Sequence, residues 1–206
     1  ACFHISHLCS TTLNSVAVYT FLDQTQKTLI NMNYFVLFNL TPSFVIDSTA
    51  LAATYQQLQK LTHPDKFATA SERDKLIALQ KNAQVNDGYQ VLKKPLSRAE
   101  HMLELRGVEL QHEQKTMQDG AFLMQQMEWR EQLEDAQHNA EPLAALEELD
   151  DEVAQDIKAL LSELGSLLEQ TDDAANESAA NRVRKLKFLY KLRHEIELKE
   201  DALSDF

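Results

Sequence analysis

A long apolar seam in the second half of the chain is the feature that most constrains the fold. Apolar residues recur there at heptad-like spacing between about Pro142 and Gln170. They are Leu146, Leu149, Val153, Ile157, Leu160, Leu164 and Leu167. Such a helix is stable when its seam packs against other helices. Because the 206 residues include four glycines and four prolines, helices can fill most of the remaining chain as well. The sequence predicts an all-α protein.

Two further helical stretches flank the seam. The first extends from about Thr116 to His138, and the last extends from about Asp173 to Leu203. The turns between the three helices are short, which is typical of an antiparallel bundle. We therefore predict a C-terminal three-helix bundle within residues 111–206.

The N-terminal half predicts a helical hairpin. Asp47 is a favourable N-cap, and a helical stripe follows it. This first helix ends at His63-Pro64, because the residue before a proline avoids the α region. Ser71 caps a second helix that ends before Pro95. The first stripe is Leu51, Tyr55, Leu58 and Thr62, and the second is Leu76, Leu79, Ala83, Asn86 and either Tyr89 or Gln90.

Two shorter segments complete this half. An apolar cluster precedes the hairpin and is placed to cover its open side, and another short helix starts at Pro95. The cluster consists of Tyr34, Phe35, Leu37, Phe38 and Leu40. We predict that residues 32–110 form one unit.

Charge separates the two halves. Residues 32–110 carry 9 Lys and Arg against 8 Asp and Glu, whereas residues 111–206 carry 10 against 23. The net charge of −12 thus lies in the second half, which would repel a phosphate backbone, so we expect no nucleic-acid partner. No apolar run reaches the roughly 18 residues of a membrane span. We expect a cytoplasmic protein without a membrane partner.

Residues 1–31 differ in composition from the rest of the chain. They are rich in Thr and Ser, nearly uncharged, and precede Met32, the first methionine. We expect a disordered or non-native extension whose removal leaves folding and activity unchanged. Cys2, His4, His7 and Cys9 allow a zinc site as an alternative, but their spacing differs from the usual paired arrangement. We predict no metal and no cofactor, and the body lacks cysteines for ligating a cluster.

The loop H-P-D-K-F lies between the hairpin helices, with Y-F-x-L-F-x-L before it and N-D-G-Y-Q-V-L-K-K-P-L-S-R-A-E after it. This arrangement resembles the J-domain of DnaJ-type co-chaperones. The resemblance implies docking on an ATPase chaperone of the DnaK class and stimulation of its ATP hydrolysis. The residues implied are His63, Pro64 and Asp65, with Lys60 and Lys66 as the nearby cations. An alternative makes His63 and Asp65 the acid–base pair of an enzyme.

The first and last bundle helices carry more apolar surface than a bundle core needs. Stepping the first helix at about 100° per residue puts Leu123, Met124 and Met127 away from the core arc. That arc contains Phe122, Trp129, Leu133 and Ala136. On the last helix, Phe188 lies off the arc of Val183, Leu186, Leu189 and Tyr190. The extra surface either binds a partner or packs against residues 32–110.

The runs D-G-A-F-L-M-Q-Q-M-E-W-R-E-Q-L and V-R-K-L-K-F-L-Y-K-L-R, in an acidic bundle after a J-domain, resemble the bacterial type of the HscB family of iron–sulfur co-chaperones. The resemblance implies a non-enzymatic co-chaperone that stimulates the chaperone HscA and delivers the scaffold protein IscU to it. The implied scaffold-binding residues are Leu123, Met124, Met127, Glu128, Arg130, Glu131 and Phe188. A general J-protein for misfolded chains is the alternative, but a Gly/Phe-rich linker is missing.

Overall fold

The computed structural model of the protein describes residues 32–110 and 119–204. The elements in these ranges are helices and turns, which confirms the all-α fold class. The helices are α1 Tyr34–Leu37, α2 Ser48–Thr62, α3 Glu72–Lys93, α4 Pro95–Leu105, α5 Gly120–Asp135, α6 Pro142–Leu168 and α7 Asp173–Ser204. Short 3-10 helices cover Pro64–Phe67 and Ala136–His138. The predictions for residues 1–31 and for a helix start at Thr116 fall outside the described residues.

The predicted caps of the hairpin are confirmed. The Asp47 carboxylate accepts the backbone N–H groups of Thr49 and Ala50, at 2.8 and 3.1 Å. The Ser71 hydroxyl accepts the N–H of Asp74 at 3.2 Å. Helix α2 ends at Thr62 because the next residue, His63, has an extended backbone before Pro64 (φ −61°, ψ 128°). Local sequence therefore determines where both hairpin helices start and where α2 ends.

The predicted core stripe of α3 is wrong at its N-terminal end. Leu76 and Leu79 are 57% and 51% exposed. The inner face at this end instead carries the small Ala78, which is buried, and Asn82, which meets Thr62 across the hairpin at 3.3 Å. A small residue and a polar pair fill the narrow space between the helices, so the most apolar side chains of this turn face outward.

Further along, the predicted stripe of α3 is correct at Asn86 and Tyr89, whereas Ala83 is exposed and that part of the prediction is wrong. The rings of Tyr55 and Tyr89 stack with centroids 4.1 Å apart. The Tyr55 hydroxyl donates to Asn86 Oδ1 at 3.0 Å. Val85 and Leu92 complete the buried face. The hairpin thus closes on a mixed aromatic and aliphatic core.

Helix α1 covers the hairpin, as predicted. Phe35 and Phe38 are fully buried. A Cβ atom on Gly88 would lie 2.8 Å from Tyr34 and 2.9 Å from Phe38, so the absence of a side chain lets α1 approach α3. The Nε2 atom of the buried His101 accepts the N–H of Tyr34 at 3.1 Å. Helix α1 is therefore anchored to both α3 and α4.

The three bundle helices bury the faces that the sequence predicts. The core arc of α5 is buried, and so is most of the α6 seam, with Leu160 and Leu167 partly buried. Two side chains tie the helices together. Arg193 of α7 forms a bidentate ion pair with Asp150, in which two guanidinium nitrogens lie 2.7 and 2.8 Å from the two carboxylate oxygens. Lys199 Nζ donates to the Leu133 carbonyl at 2.7 Å, near the end of α5.

Helix α4 connects the hairpin to the bundle through two arginines. Buried Arg98 donates to the carbonyls of Phe44, of Leu92 at 2.7 Å and of Lys93 at 3.3 Å. Since Leu92 and Lys93 end α3, this guanidinium satisfies carbonyls that the helix leaves free. It also lies over the Phe44 ring, 5.9 Å from the centroid.

The opposite end of α4 contacts the turn between α6 and α7. Arg106 donates to the Leu168 and Gln170 carbonyls, at 2.6 and 2.8 Å, and to Asn176 Oδ1 at 2.8 Å. Phe44 approaches α6 as well, because a Cβ on Gly165 would lie 3.2 Å from its ring. Helix α4 and the segment before α2 are thus packed on the bundle.

Candidate functional site

The His63-Pro64-Asp65 turn projects from the tip of the hairpin. Pro64 opens the 3-10 helix, where its fixed φ suits the first position. The His63 Nδ1 atom accepts the N–H of Asp65 at 3.3 Å and lies 3.5 Å from its carboxylate. The Asp65 side chain is 89% exposed and that of His63 is 56% exposed. The turn therefore presents an anion to solvent in a conformation held by its neighbours.

Beside the turn lies a shallow groove of about 530 Å³. Its lining residues are Gln56, Gln59, Lys60, His63 and Lys66. The structure thus brings three of the predicted residues (Lys60, His63 and Lys66) around one groove, with Asp65 next to it. Gln56 and Gln59 were not among the predicted residues, although the spacing 56, 59, 60, 63 is one face of a helix.

The geometry of this turn does not favour an enzyme. His63 and Asp65 lie on an open surface, whereas an acid–base pair works in a cleft that excludes water. Within residues 32–110 and 119–204, no group of three His, Cys, Asp or Glu side chains could hold a metal ion. The site is suited to binding another protein.

A second candidate surface lies on α5. We call Leu123, Met124 and Met127 the exposed strip, since they are 40%, 65% and 73% exposed. Their exposure contradicts the alternative in which this surface packs against residues 32–110, because residues packed there would be buried. Large apolar side chains clustered on one helix face are typical of a protein-docking surface.

The prediction that Phe188 lies off the core is wrong. It is partly buried, and its ring packs against two core residues of α5. The centroid lies 5.8 Å from that of Phe122, edge to face, and 6.2 Å from that of Trp129, nearly parallel. The helical wheel of α7 alone could not show this, because the contact depends on where α5 crosses. Phe188 is both a bundle contact and the border of the exposed strip.

Opposite charges border the exposed strip on its two sides. On the α7 side, the Arg130 guanidinium lies 5.8 Å from the Phe188 centroid and 3.2 Å from the Glu195 carboxylate. On the α6 side, Glu128 and Glu131 line a groove of about 510 Å³ together with acids of α6. The predicted residues Glu128, Arg130 and Glu131 therefore lie around one surface, while the contact with Glu195 was not predicted.

The first turn of α5 is held by a further ion pair. The Asp119 carboxylate caps the helix at the Phe122 N–H (3.1 Å) and accepts a hydrogen bond from Lys185. The Lys185 hydrogen bond is the main cause that lowers the pKa of Asp119, and the backbone bond adds to it. Lys185 also lies 4.8 Å from the centroid of the Phe122 ring. These contacts fix the start of the helix that carries the exposed strip.

A helical hairpin with an exposed His-Pro-Asp turn, joined to a helical bundle, defines the class of J-domain co-chaperones. Comparison with known proteins agrees. The family described as "HSCB C-terminal oligomerisation domain" matches residues 118–197. A co-chaperone protein HscB homolog of Pseudoalteromonas atlantica is 87% identical over 175 residues, which are 85% of this chain and 100% of the relative. The chain belongs to the HscB family of co-chaperones.

Solved structures show the same relationship. The chaperone HscB from Vibrio cholerae is 47% identical with a TM-score of 0.74, and the match covers 84% of this chain and 99% of that one. The human co-chaperone protein HscB is 32% identical with a TM-score of 0.75, covering 82% of each chain. The protein is thus a non-catalytic co-chaperone that works with a chaperone partner, in a family whose role is iron–sulfur cluster assembly. None of the described helices could cross a membrane.

Proposed function

We propose that the hairpin docks on a DnaK-class ATPase chaperone of the HscA type and stimulates its ATP hydrolysis. The observation that carries this proposal is the exposed Asp65 carboxylate beside a groove lined by Lys60, His63 and Lys66. An anion and two cations at fixed spacing offer a partner complementary charges, which steer association and set its orientation. Pro64 keeps the turn in one conformation, so less entropy is lost on docking.

The exposed strip supports a second contact, with the iron–sulfur scaffold protein IscU. Its three apolar side chains form the centre of the surface, and the Phe188 ring borders it. Arg130 on one side would meet an acidic group of the scaffold, and Glu128 and Glu131 on the other would meet a basic group. The apolar centre would provide most of the binding free energy, while the two charged sides set the orientation.

Together the two contacts would deliver the scaffold to the chaperone. In this proposal residues 32–110 engage the ATPase and residues 111–206 hold the scaffold. Both partners and the reaction they share are expected in the cytoplasm. The co-chaperone itself contributes binding surfaces and changes no covalent bond.

An Asp65→Asn variant tests the first contact. It keeps the size of the side chain but removes the anion, so we expect loss of ATPase stimulation. The matched control is Glu72→Gln, which removes an equally exposed carboxylate from the same hairpin. The measurement is the steady-state ATPase rate of the chaperone with each variant. Full stimulation by Asp65→Asn would contradict the proposal.

A Leu123→Ala, Met127→Ala double variant tests the second contact. Because apolar residues at the centre of an interface dominate its energy, we expect binding to weaken by about 2 kcal/mol or more. Leu198→Ala is the control, since Leu198 is an exposed leucine of α7 outside the strip. Calorimetric titration with the scaffold measures both. Equal affinities of the double variant and the control would place the scaffold elsewhere.

The two contacts lie on different helices, and distant sites without shared partners act nearly independently. Asp65→Asn is therefore expected to bind the scaffold within about twofold of the unmodified protein. A folded Asp65→Asn protein that loses both activities would show that the two contacts are coupled.

A further inference from the structure

Two of the three residues of the exposed strip are methionines. Met124 and Met127 lie three residues apart on α5, hence on the same side of the helix. Their exposure of 65% and 73% contrasts with Met102 of α4, which is 4% exposed. A thioether reacts with an oxidant according to its access to solvent. The surface proposed to bind the scaffold therefore carries oxidisable sulfur atoms that the fold leaves unprotected.

We propose that Met124 and Met127 form a reversible oxidation site that switches the exposed strip from apolar to polar. The oxidant is a peroxide such as hydrogen peroxide. A sulfur lone pair attacks one peroxide oxygen, the O–O bond breaks, and an S–O bond forms. Each sulfur loses two electrons and becomes a sulfoxide, while the peroxide is reduced and the second oxygen leaves as water. Methionine sulfoxide reductases reverse the change, one enzyme for each sulfoxide epimer. A dithiol supplies the two electrons and becomes a disulfide, and the sulfoxide oxygen leaves as water.

The consequence for binding follows from desolvation, and this step rests on the proposed scaffold contact. A sulfoxide oxygen is a strong hydrogen-bond acceptor, and burying it without a donor costs free energy. Two such groups at the centre of the interface are expected to weaken scaffold binding about tenfold or more. The fold is expected to persist, since both side chains lie outside the core.

The ATPase contact is expected to be insensitive to peroxide. The turn and its groove contain no methionine and no cysteine, since their residues are Gln56, Gln59, Lys60 and His63 to Lys66. Oxidation would thus remove scaffold delivery and leave stimulation of the chaperone by the co-chaperone alone.

The first test maps the oxidation in the full chain. The protein is treated with hydrogen peroxide and then with dithiothreitol, which reverses disulfide and sulfenic-acid formation at Cys2 and Cys9 but leaves sulfoxides intact. Peptide mass spectrometry follows the gain of one oxygen at Met102, Met124 and Met127. We expect Met124 and Met127 to be oxidised well before Met102. Oxidation of all three at one rate would overturn the site, whatever the scaffold does.

The second test measures scaffold affinity before and after peroxide. Unmodified protein and a Met102→Leu variant are expected to lose scaffold affinity at least about tenfold and to recover it after treatment with both reductases and dithiothreitol as the reductant. A Met124→Leu, Met127→Leu variant is expected to show one affinity throughout, whatever that affinity is. Equal losses in the two variants, or unchanged binding by protein with both sulfoxides, would overturn the switch. Untreated protein that does not bind the scaffold would instead refute the proposed function.

Discussion

Phe188→Ala tests whether a ring at the border of the exposed strip also stabilises the bundle. A fully buried phenylalanine costs about 3–5 kcal/mol when truncated to alanine. Phe188 is partly buried, and it makes two ring contacts, with Phe122 and Trp129. Each such contact contributes about 0.5–1.5 kcal/mol beyond the area it buries. We therefore expect the free energy of unfolding to fall by about 2 kcal/mol.

Met127→Ala is the comparison, because Met127 lies on the same surface and its side chain is mostly exposed. Its side chain is 73% exposed, so the unfolding free energy is expected to change by less than about 0.5 kcal/mol. Urea titration followed by far-ultraviolet circular dichroism measures both. With a slope of about 2 kcal/mol per molar, the midpoint for Phe188→Ala should fall by about 1 M. An unchanged midpoint would show that the ring is not packed, and the described contact with α5 would be wrong.

Three further predictions concern the hairpin and its anchors. Arg98→Met is expected to cost about 3 kcal/mol in a urea titration, because buried carbonyls lose a charged donor. Gly88→Ala is expected to cost about 1–3 kcal/mol by the same assay, since its Cβ would overlap Tyr34 and Phe38. Burial lowers the pKa of His101, and this effect exceeds that of the Glu104 carboxylate, which raises the pKa. As the pH falls, His101 is therefore protonated in the unfolded chain before it is protonated in the folded one. The stability that neutral His101 contributes to the folded state is complete above pH 6.5 and is lost as the pH falls through the lowered pKa. Urea midpoints measured from pH 7 to pH 5 should therefore depend less on pH in His101→Phe than in the unmodified protein.

The sequence predicted those features that depend on neighbouring residues. The caps at Asp47 and Ser71 and the helix end before Pro64 follow from backbone preferences over a few residues. The bundle faces follow from an apolar repeat that continues over many turns. In α5 the repeat even separated buried Trp129 from exposed Met127.

The features that the sequence did not predict depend on the partner across the contact. Leu76 has the periodicity of a core residue. However, the face of α3 that meets α2 at this level carries the small Ala78 and the polar Asn82, which bonds to Thr62. Phe188 is packed because α5 crosses α7 at that level. Arg98 and Arg106 belong to no periodic pattern in the sequence. They stabilise the fold by donating hydrogen bonds to carbonyl groups that are left free where nearby helices end. Long-range polar contacts of this kind need the three-dimensional arrangement.

The contact between Phe44 and Gly165 bears on how the chain acquires its fold as it leaves the ribosome. Phe44 is synthesised well before Gly165, so the segment that precedes α2 can complete its packing only after α6 has emerged. Arg106, at the end of α4, likewise cannot form its hydrogen bonds until the carbonyl groups of Leu168 and Gln170 have been synthesised. Domains generally fold as units during synthesis, from the amino terminus onward. In this chain the side of the Phe44 ring that faces Gly165 would stay open in the nascent hairpin until α6 has been synthesised.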